Sequence, residues 1–270
     1  MKNKKLKFGV TVVIPTYNRK DKLISAVNSV TSSDKDVVEI IIVDDCSDIS
    51  PESFFSAFNS DNIVIRIYKN YKNSGPQVAR NLGIRRARFN HIAFLDSDDL
   101  FVPGKIDWII NILKNDDIDF LYHGVDGCEK YNKLSRLWFK TIGKIFHFRW
   151  FLYLLNPCVT PSVVIKNKKC LFNPTLRHSE DYAFFLSYVD EKTRVRYYDD
   201  IYTIVPREIG SMGGISNNLI KMRKGEMQGK NNLLRRNYYV GFIMSYCVAI
   251  LRVLSDLCRK RYSLRDFIKK

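Results

Sequence analysis

The residues best equipped for chemistry are Asp96, Asp98 and Asp99, which crowd the end of the stretch HIAFLDSDDL at 91–100. The apolar run Ile92, Ala93, Phe94, Leu95 stops abruptly at these acids, which is the pattern of a buried strand bounded by polar punctuation. In an open α/β sheet, ligands bind in the crevice outside the carboxyl ends of the strands, so carboxylates there lie where a ligand would be met. Burying them without compensation is costly. A hard divalent cation such as Mg²⁺ or Mn²⁺, bridged to substrate phosphates, relieves that cost because it prefers oxygen ligands and needs few from the protein. The same acids also read as an Asp-rich turn with a helix cap at Asp99 or Ser97.

The elements that must position these acids alternate in kind. Val10 to Ile14 is a β-branched run closed by Pro15, and Leu23, Ile24, Ala26, Val27 and Val30 then recur at helical spacing. Val37 to Val43 forms a second buried run that again ends in acids, Asp44 and Asp45. Pro51 starts a short helix with Phe54, Phe55 and Phe58 on its apolar face, and Ile63 to Tyr68 makes a third strand. After the polar loop Lys69 to Ser74, Gly75-Pro76 opens a helix through Val78, Ala79, Leu82, Ile84 and Ala87 that leads into the central strand. This alternation predicts an α/β fold with a doubly wound, mostly parallel sheet, and brings Asp45 and Asp98 to one rim. No G-x-G-x-x-G opens the first helix and no G-x-x-x-x-G-K-[ST] occurs, which argues against nicotinamide enzymes and P-loop kinases.

Composition narrows the setting. A chain of 270 residues, 46% hydrophobic, suits one large α/β domain or a domain with an appended segment. Lys and Arg outnumber Asp and Glu by 44 to 28, a net +16 that suggests a polyanionic neighbour, either nucleic acid or an anionic membrane surface. The cysteines at 46, 128, 158, 170, 247 and 258 lack zinc-ligand spacing and read as free thiols in a reducing cytoplasm. The N-terminal MKNKKLKFGVTVVIP has no small-residue cleavage site and does not read as a signal peptide. No uninterrupted apolar stretch reaches the roughly 18 to 20 residues of a membrane span.

Four motifs, VVIPTYNR at 12–19, IIVDDCSD at 41–48, NSGPQVARNLGI at 73–84 and FLDSDDL at 94–100, together resemble the successive signatures of the family 2 glycosyltransferases with the A-type (GT-A) fold. The resemblance implies an inverting, metal-dependent transferase that uses a nucleotide-diphosphate sugar with Mn²⁺ or Mg²⁺. UDP, the commonest donor nucleotide in the family, is the expected one. On the matching positions, Pro15, Tyr17 and Asp45 are expected to contact the nucleobase. Asp96 and Asp98 form the D-x-D, with Asp98 the direct metal ligand, and Arg80 matches an arginine common in the family's helix, with either a binding or a structural job. The implied division is a catalytic domain over 1–216, its nucleotide-sugar half at 8–100 and its acceptor half at 101–216, followed by a helical C-terminal segment at 217–270.

Within the second half, Pro103 opens a helix through Trp108, Ile109, Ile112 and Leu113, and Ile118 to Tyr122 returns to strand. The stretch 128–156, with Trp138, Phe139, Trp150 and Phe151, reads equally as a packed cover over the sheet edge or as an acceptor groove whose rings suit sugars. In RHSEDYAFFL at 177–186, Glu180 and Asp181 precede an apolar helical run and would suit its N-terminus. The family resemblance implies more, with Asp181 as the catalytic base and Glu180 supporting it or touching the acceptor. Such a base takes the proton of the attacking hydroxyl in a single displacement. Tyr197 to Ser216 should close the fold with a strand and a Gly-rich loop, in which Arg207 is expected to pair with the diphosphate. Relatives often carry a histidine there, which PREIGS lacks.

Tyr238 to Leu251 is nearly all apolar, with Lys230, Arg235 and Arg236 before it and Arg252, Arg259, Lys260, Arg261, Arg265, Lys269 and Lys270 after it. Too short to span a bilayer, it reads as an interfacial segment whose basic flanks meet anionic lipid, or as a core-packing or oligomer-forming helix. By analogy with the family, the acceptor would be a lipid-diphosphate-linked saccharide in bacterial O-antigen, capsule or exopolysaccharide assembly, and the protein would lie peripherally on the inner face of the cell membrane. The rival readings are a metal-dependent phosphatase built on the D-x-D and a non-enzymatic nucleic-acid-binding protein. The first normally closes its first strand with the acids, whereas here they close the fourth. Against the second, no zinc-finger, RRM or helix-turn-helix signature is present.

Overall fold

Runs of β-branched residues form strands that alternate with helices from the start of the chain. The computed structural model describes residues 6–55, 63–206, 218–235 and 238–258. Its first half runs β1 (Lys7–Thr16), α1 (Lys20–Asn28), β2 (Val38–Asp44), α2 (Glu52–Phe55), β3 (Val64–Lys69), α3 (Pro76–Arg86) and β4 (Phe89–Phe94). The second continues with β5 (Leu100–Phe101), α4 (Lys105–Asn115), β6 (Phe120–Asp126), α5 (Glu129–Lys140), α6 (Phe148–Leu154), β7 (Val163–Lys166), α7 (Glu180–Tyr188), β8 (Val195–Ile204), α8 (Leu219–Arg235) and α9 (Tyr239–Cys258). Phe58, expected on the second helix, lies outside the described residues.

The strands make one sheet in the order β3-β2-β1-β4-β7-β6-β8-β5. β3, β2, β1 and β4 are parallel, as the alternation predicted. β7 then runs antiparallel to both β4 and β6, and β5 antiparallel to β8, so the second half of the sheet is mixed. In register, Thr16 pairs with Asp44 and Val13 with Phe94, which brings the carboxyl ends of β1, β2 and β4 out along one edge.

Alternate side chains of each strand feed opposite cores. Val12, Ile14, Ile40 and Ile42 pack with Leu23 and Val27 of α1 and with Ile106, Ile109 and Ile110 of α4. Val13, Ile92, Phe94, Phe120 and Tyr122 pack on the other face with Phe151 of α6 and Phe184 and Phe185 of α7. Burial on both faces explains why β2 reads VEIIIVD, all of it buried, rather than alternating apolar and polar.

The aromatic stretch 128–156 belongs chiefly to this second core. Trp138 and Phe151 are buried and stacked with centroids 4.6 Å apart and planes 3° from parallel. Phe139 packs on Tyr122, Phe148 and Tyr197. The cover reading therefore holds for these rings, each worth about 1.5–3 kcal/mol of burial, and they form no sugar-stacking groove.

Candidate active site

β4 delivers its acids into a cavity of about 1300 Å³ that opens at the carboxyl edge of the sheet. Pro15, Tyr17, Asp45, Arg80, Asp96, Asp98, Glu180 and Asp181 all line it, so the residues singled out in the sequence meet around one space. Arg207 lies outside the described residues.

At the donor end, the turn after Leu95 is closed by the Asp99 amide, which donates to Asp96 O at 3.0 Å. Asp98 pairs with Arg19 at 2.5 Å, and Asp96 with Arg80 at 2.6 Å. Asp99 is buried, and burial together with the neighbouring Asp96 and Asp98 pushes its carboxyl up to about 8. An excess of negative charge of this kind is what a divalent cation would relieve, and Asp98 remains partly open to the cavity. Among the described residues no three His, Cys, Asp or Glu side chains are grouped so as to hold a metal ion by themselves. The remaining ligands would come from substrate phosphates and water, the usual arrangement for Mg²⁺ beside a nucleotide.

Asp45 lines the cavity beside Pro15 and Tyr17 with both of its oxygens engaged by the protein. It accepts from Asn70 Nδ2 at 2.8 Å, from the Ser74 amide at 3.0 Å and from the Gly75 amide at 2.6 Å, and so fastens the loop between β3 and α3. Gly75 has φ +94° there, a conformation that L side chains rarely adopt. Pro15 and the half-exposed Tyr17 form the adjoining rim.

Arg80 joins the two ends of the site. Buried on α3, it donates from Nη2 to Asp96 Oδ1 at 2.6 Å and from Nη1 to Glu180 Oε1 at 3.0 Å. Burial opposes its charge, but the two carboxylates outweigh that and raise its pKa further. Glu180 and Asp181 occupy the first turn of α7, where the helix dipole favours anions. Burial and the Asp181 charge push Glu180 up to about 7 against the pull of Arg80. Burial also raises Asp181 above the usual carboxylate range. Asp181 Oδ1 is fixed by the Tyr182 amide at 2.7 Å, while Oδ2 has only long contacts to Thr160 Oγ1 at 3.3 Å and Asn156 Nδ2 at 3.5 Å. One oxygen sets the orientation, and the other is lightly held and able to take a proton.

Sequence reasoning missed the opposite wall. Arg223 and Glu226 of α8 and Arg252 and Asp256 of α9 line the same cavity. Gly225 lets α8 lie directly against the His178 carbonyl, where a Cβ would clash. The only local signal was the spacing of Arg223, Glu226 and Lys230, which on a helix reads as a solvated charged face. α9 also continues to Cys258, and its Tyr239–Asp256 window is long and apolar enough to cross a membrane by length and composition, which corrects the expectation that the segment is too short. Arg252 and Asp256 fall in that window and face charged partners inside the protein.

With this geometry in view, comparison with known proteins identifies the class. Residues 11–167 match the model of glycosyl transferase family 2, and the chain belongs to that family. An uncharacterized glycosyltransferase of Haemophilus influenzae is 28% identical over 194 residues, covering 70% of this chain and 64% of that protein. UDP-Glc:alpha-D-GlcNAc-diphosphoundecaprenol beta-1,3-glucosyltransferase WfgD of Escherichia coli is 26% identical over 181 residues, covering 66% of this chain and 68% of that one. Mannosyltransferase PcManGT of Pyrobaculum calidifontis, solved in complex with GDP-Man and Mn²⁺, shares the fold with TM-score 0.64 at 14% identity, over 95% of this chain and 79% of that one. The chain thus carries a family 2 domain with the GT-A fold, and it spans less than two thirds of the length of that Haemophilus protein and of the Rickettsia glycosyltransferases it matches.

Proposed function

We propose that this enzyme transfers a sugar, with inversion, from a nucleotide-diphosphate donor to a lipid-diphosphate-linked saccharide in the assembly of a bacterial surface polysaccharide. The observation that carries the reading is the Asp96–Arg80–Glu180 bridge, which fastens the donor acids to the helix turn bearing Asp181. UDP is the donor nucleotide we favour, supported by the UDP-glucose named for WfgD. The nucleobase contacts Pro15 and Tyr17, with Asp45 holding the β3–α3 loop beside them, and Arg207 is the residue we assign to the diphosphate. Asp98, with Asp96 beside it, would hold Mn²⁺ or Mg²⁺, which would supply Lewis-acid neutralisation of charge on the leaving diphosphate.

Asp181 Oδ2 accepts the proton of the acceptor hydroxyl as that oxygen bonds to the anomeric carbon. The bond from that carbon to the diphosphate oxygen breaks in the same step, and the nucleoside diphosphate leaves from the opposite face. Glu180 and Arg80 keep Asp181 and the D-x-D in fixed relation throughout. Thermal melting with Mn²⁺ and UDP, GDP or dTDP, followed by a panel of nucleotide sugars, tests the reading. Metal-dependent stabilisation by one nucleotide supports it, and none from any of them defeats it.

The setting we favour is the inner face of the cell membrane. α9 turns Val240, Ile243, Ile250, Leu251 and Leu254 outward as an exposed apolar stripe, a good match for the boundary of an anionic bilayer in a chain of charge +16. The basic residues from Arg259 onward lie outside the described residues. Full-length protein that stays in the high-speed supernatant at low salt with acidic liposomes present would end this part of the reading.

A further inference from the structure

We infer that Arg223 and Arg252, assisted by Lys130, form the subsite for the phosphate of a prenyl-diphosphate acceptor, distinct from the place where the donor diphosphate binds. The inference rests on the acceptor class proposed above, and adds to it the residues that read the headgroup.

The charges around the cavity are unevenly divided. The donor end gathers Asp45, Asp96, Asp98 and Asp99 against Arg19 and Arg80, so a diphosphate there requires a cation. The α8–α9 wall with the start of α5 instead presents Arg223, Arg252 and Lys130 against Glu226 and Asp256. Lys230 lies fully buried behind Glu226. This end carries the positive surplus, and guanidinium groups grip phosphate oxygens directly without a metal.

The two arginines are held in place. Glu226, itself buried, accepts from Arg223 Nη1 at 3.0 Å, Lys230 Nζ at 3.0 Å and Arg252 Nη1 at 2.8 Å. Arg223 Nε donates to Asp256 at 3.0 Å, and Arg252 Nη2 to Leu154 O at 2.9 Å. Each guanidinium has five N–H donors and these bonds use two, so each keeps donors for a ligand. Because their orientation is already fixed, little ordering cost falls on binding.

The position also suits an acceptor. Tyr131, Asp181, Arg223 and Arg252 line the same cavity, and Tyr131 is near enough to the other three to feel their charges. A sugar hydroxyl at Asp181 and a phosphate at the arginines would occupy parts of one cavity. α9 contributes Arg252 to that wall and carries the apolar stripe on its outer face. A prenyl lipid would thus find a partner for its headgroup and one for its chain on the same helix.

The test is calorimetric binding of farnesyl diphosphate to the full chain in EDTA, with inorganic pyrophosphate as the comparison. Wild type should bind without metal, Arg223→Gln and Arg252→Gln should each weaken binding by about tenfold or more, and Lys130→Ala by several-fold. Asp98→Asn should leave this binding intact while losing the response to UDP and Mn²⁺. Tighter binding of farnesyl diphosphate than of pyrophosphate assigns a lipid headgroup, and equal affinities assign a bare diphosphate. Should the arginine variants fail to fold, the exposed Lys130 keeps the question open to measurement, and Arg252→Lys retains the charge. Undiminished binding in all the variants, or binding that vanishes in EDTA, overturns the inference. If UDP with Mn²⁺ gives no stabilisation while the arginine variants still lose farnesyl diphosphate, the donor reading fails and the phosphate corner stands.

Discussion

Arg80 and Glu180, 100 positions apart in the chain, meet at 3.0 Å inside the protein, and the same guanidinium holds Asp96 at 2.6 Å. A single buried side chain thereby links α3, the end of β4 and the first turn of α7. Removing it would strand the buried Glu180 and leave the partly exposed Asp96 without its cation. Arg80→Met should therefore destabilise the fold by about 3 kcal/mol, measured by denaturant unfolding. Arg80→Lys keeps the charge but cannot span both acids, so it should fold and lose about 10- to 100-fold in turnover. Wild-type turnover in Arg80→Lys would mean that the bridge does no positioning.

Asp98 and Asp181 should separate binding from chemistry. Asp98→Asn should abolish stabilisation by UDP with Mn²⁺ in a melting experiment. Asp181→Asn should keep that stabilisation and lower turnover by about 100- to 10,000-fold. Full activity in Asp181→Asn would remove it as the base.

The pH dependence of stability carries the mark of Glu180. Its folded-state carboxyl is raised from 4.5 to about 7, so between those values the folded protein binds a proton that the unfolded chain has released. Its contribution is therefore fully present below about pH 4.5 and is lost as pH rises through about 7. Metal-free enzyme should lose stability across that window, and Glu180→Gln should flatten the slope. An unchanged slope in Glu180→Gln, by urea unfolding at several pH values, would show that another group is responsible.

Asp45 should matter more to donor binding than to the chemical step. Asp45→Ala leaves the Asn70, Ser74 and Gly75 donors without their acceptor, at a cost of about 1–3 kcal/mol. Steady-state kinetics should show KM for the sugar nucleotide rising more than kcat falls. A pure loss of kcat would place Asp45 with the reacting atoms instead.

Much of the donor half was legible in the chain, because its signals are local. Strands buried on both faces must be continuous apolar runs, so β1, β2 and β4 announce themselves, and the acids that follow β2 and β4 lie at strand ends by necessity. The parallel register then brings those ends to one edge. Glu180 and Asp181 were legible as a pair at a helix start for the same reason. Tertiary structure decided everything that depends on which surface meets which. Trp138 and Phe151 could have lined a groove until they stacked in the core, and the Ser74 and Gly75 amides that Asp45 accepts from lie 29 and 30 positions away in the chain. The pairing of Arg80 with acids from two distant elements has no local signature. Nor does the turning of Arg223 and Arg252 into the cavity, since a charged helix face has the same spacing whether it meets water or an active site.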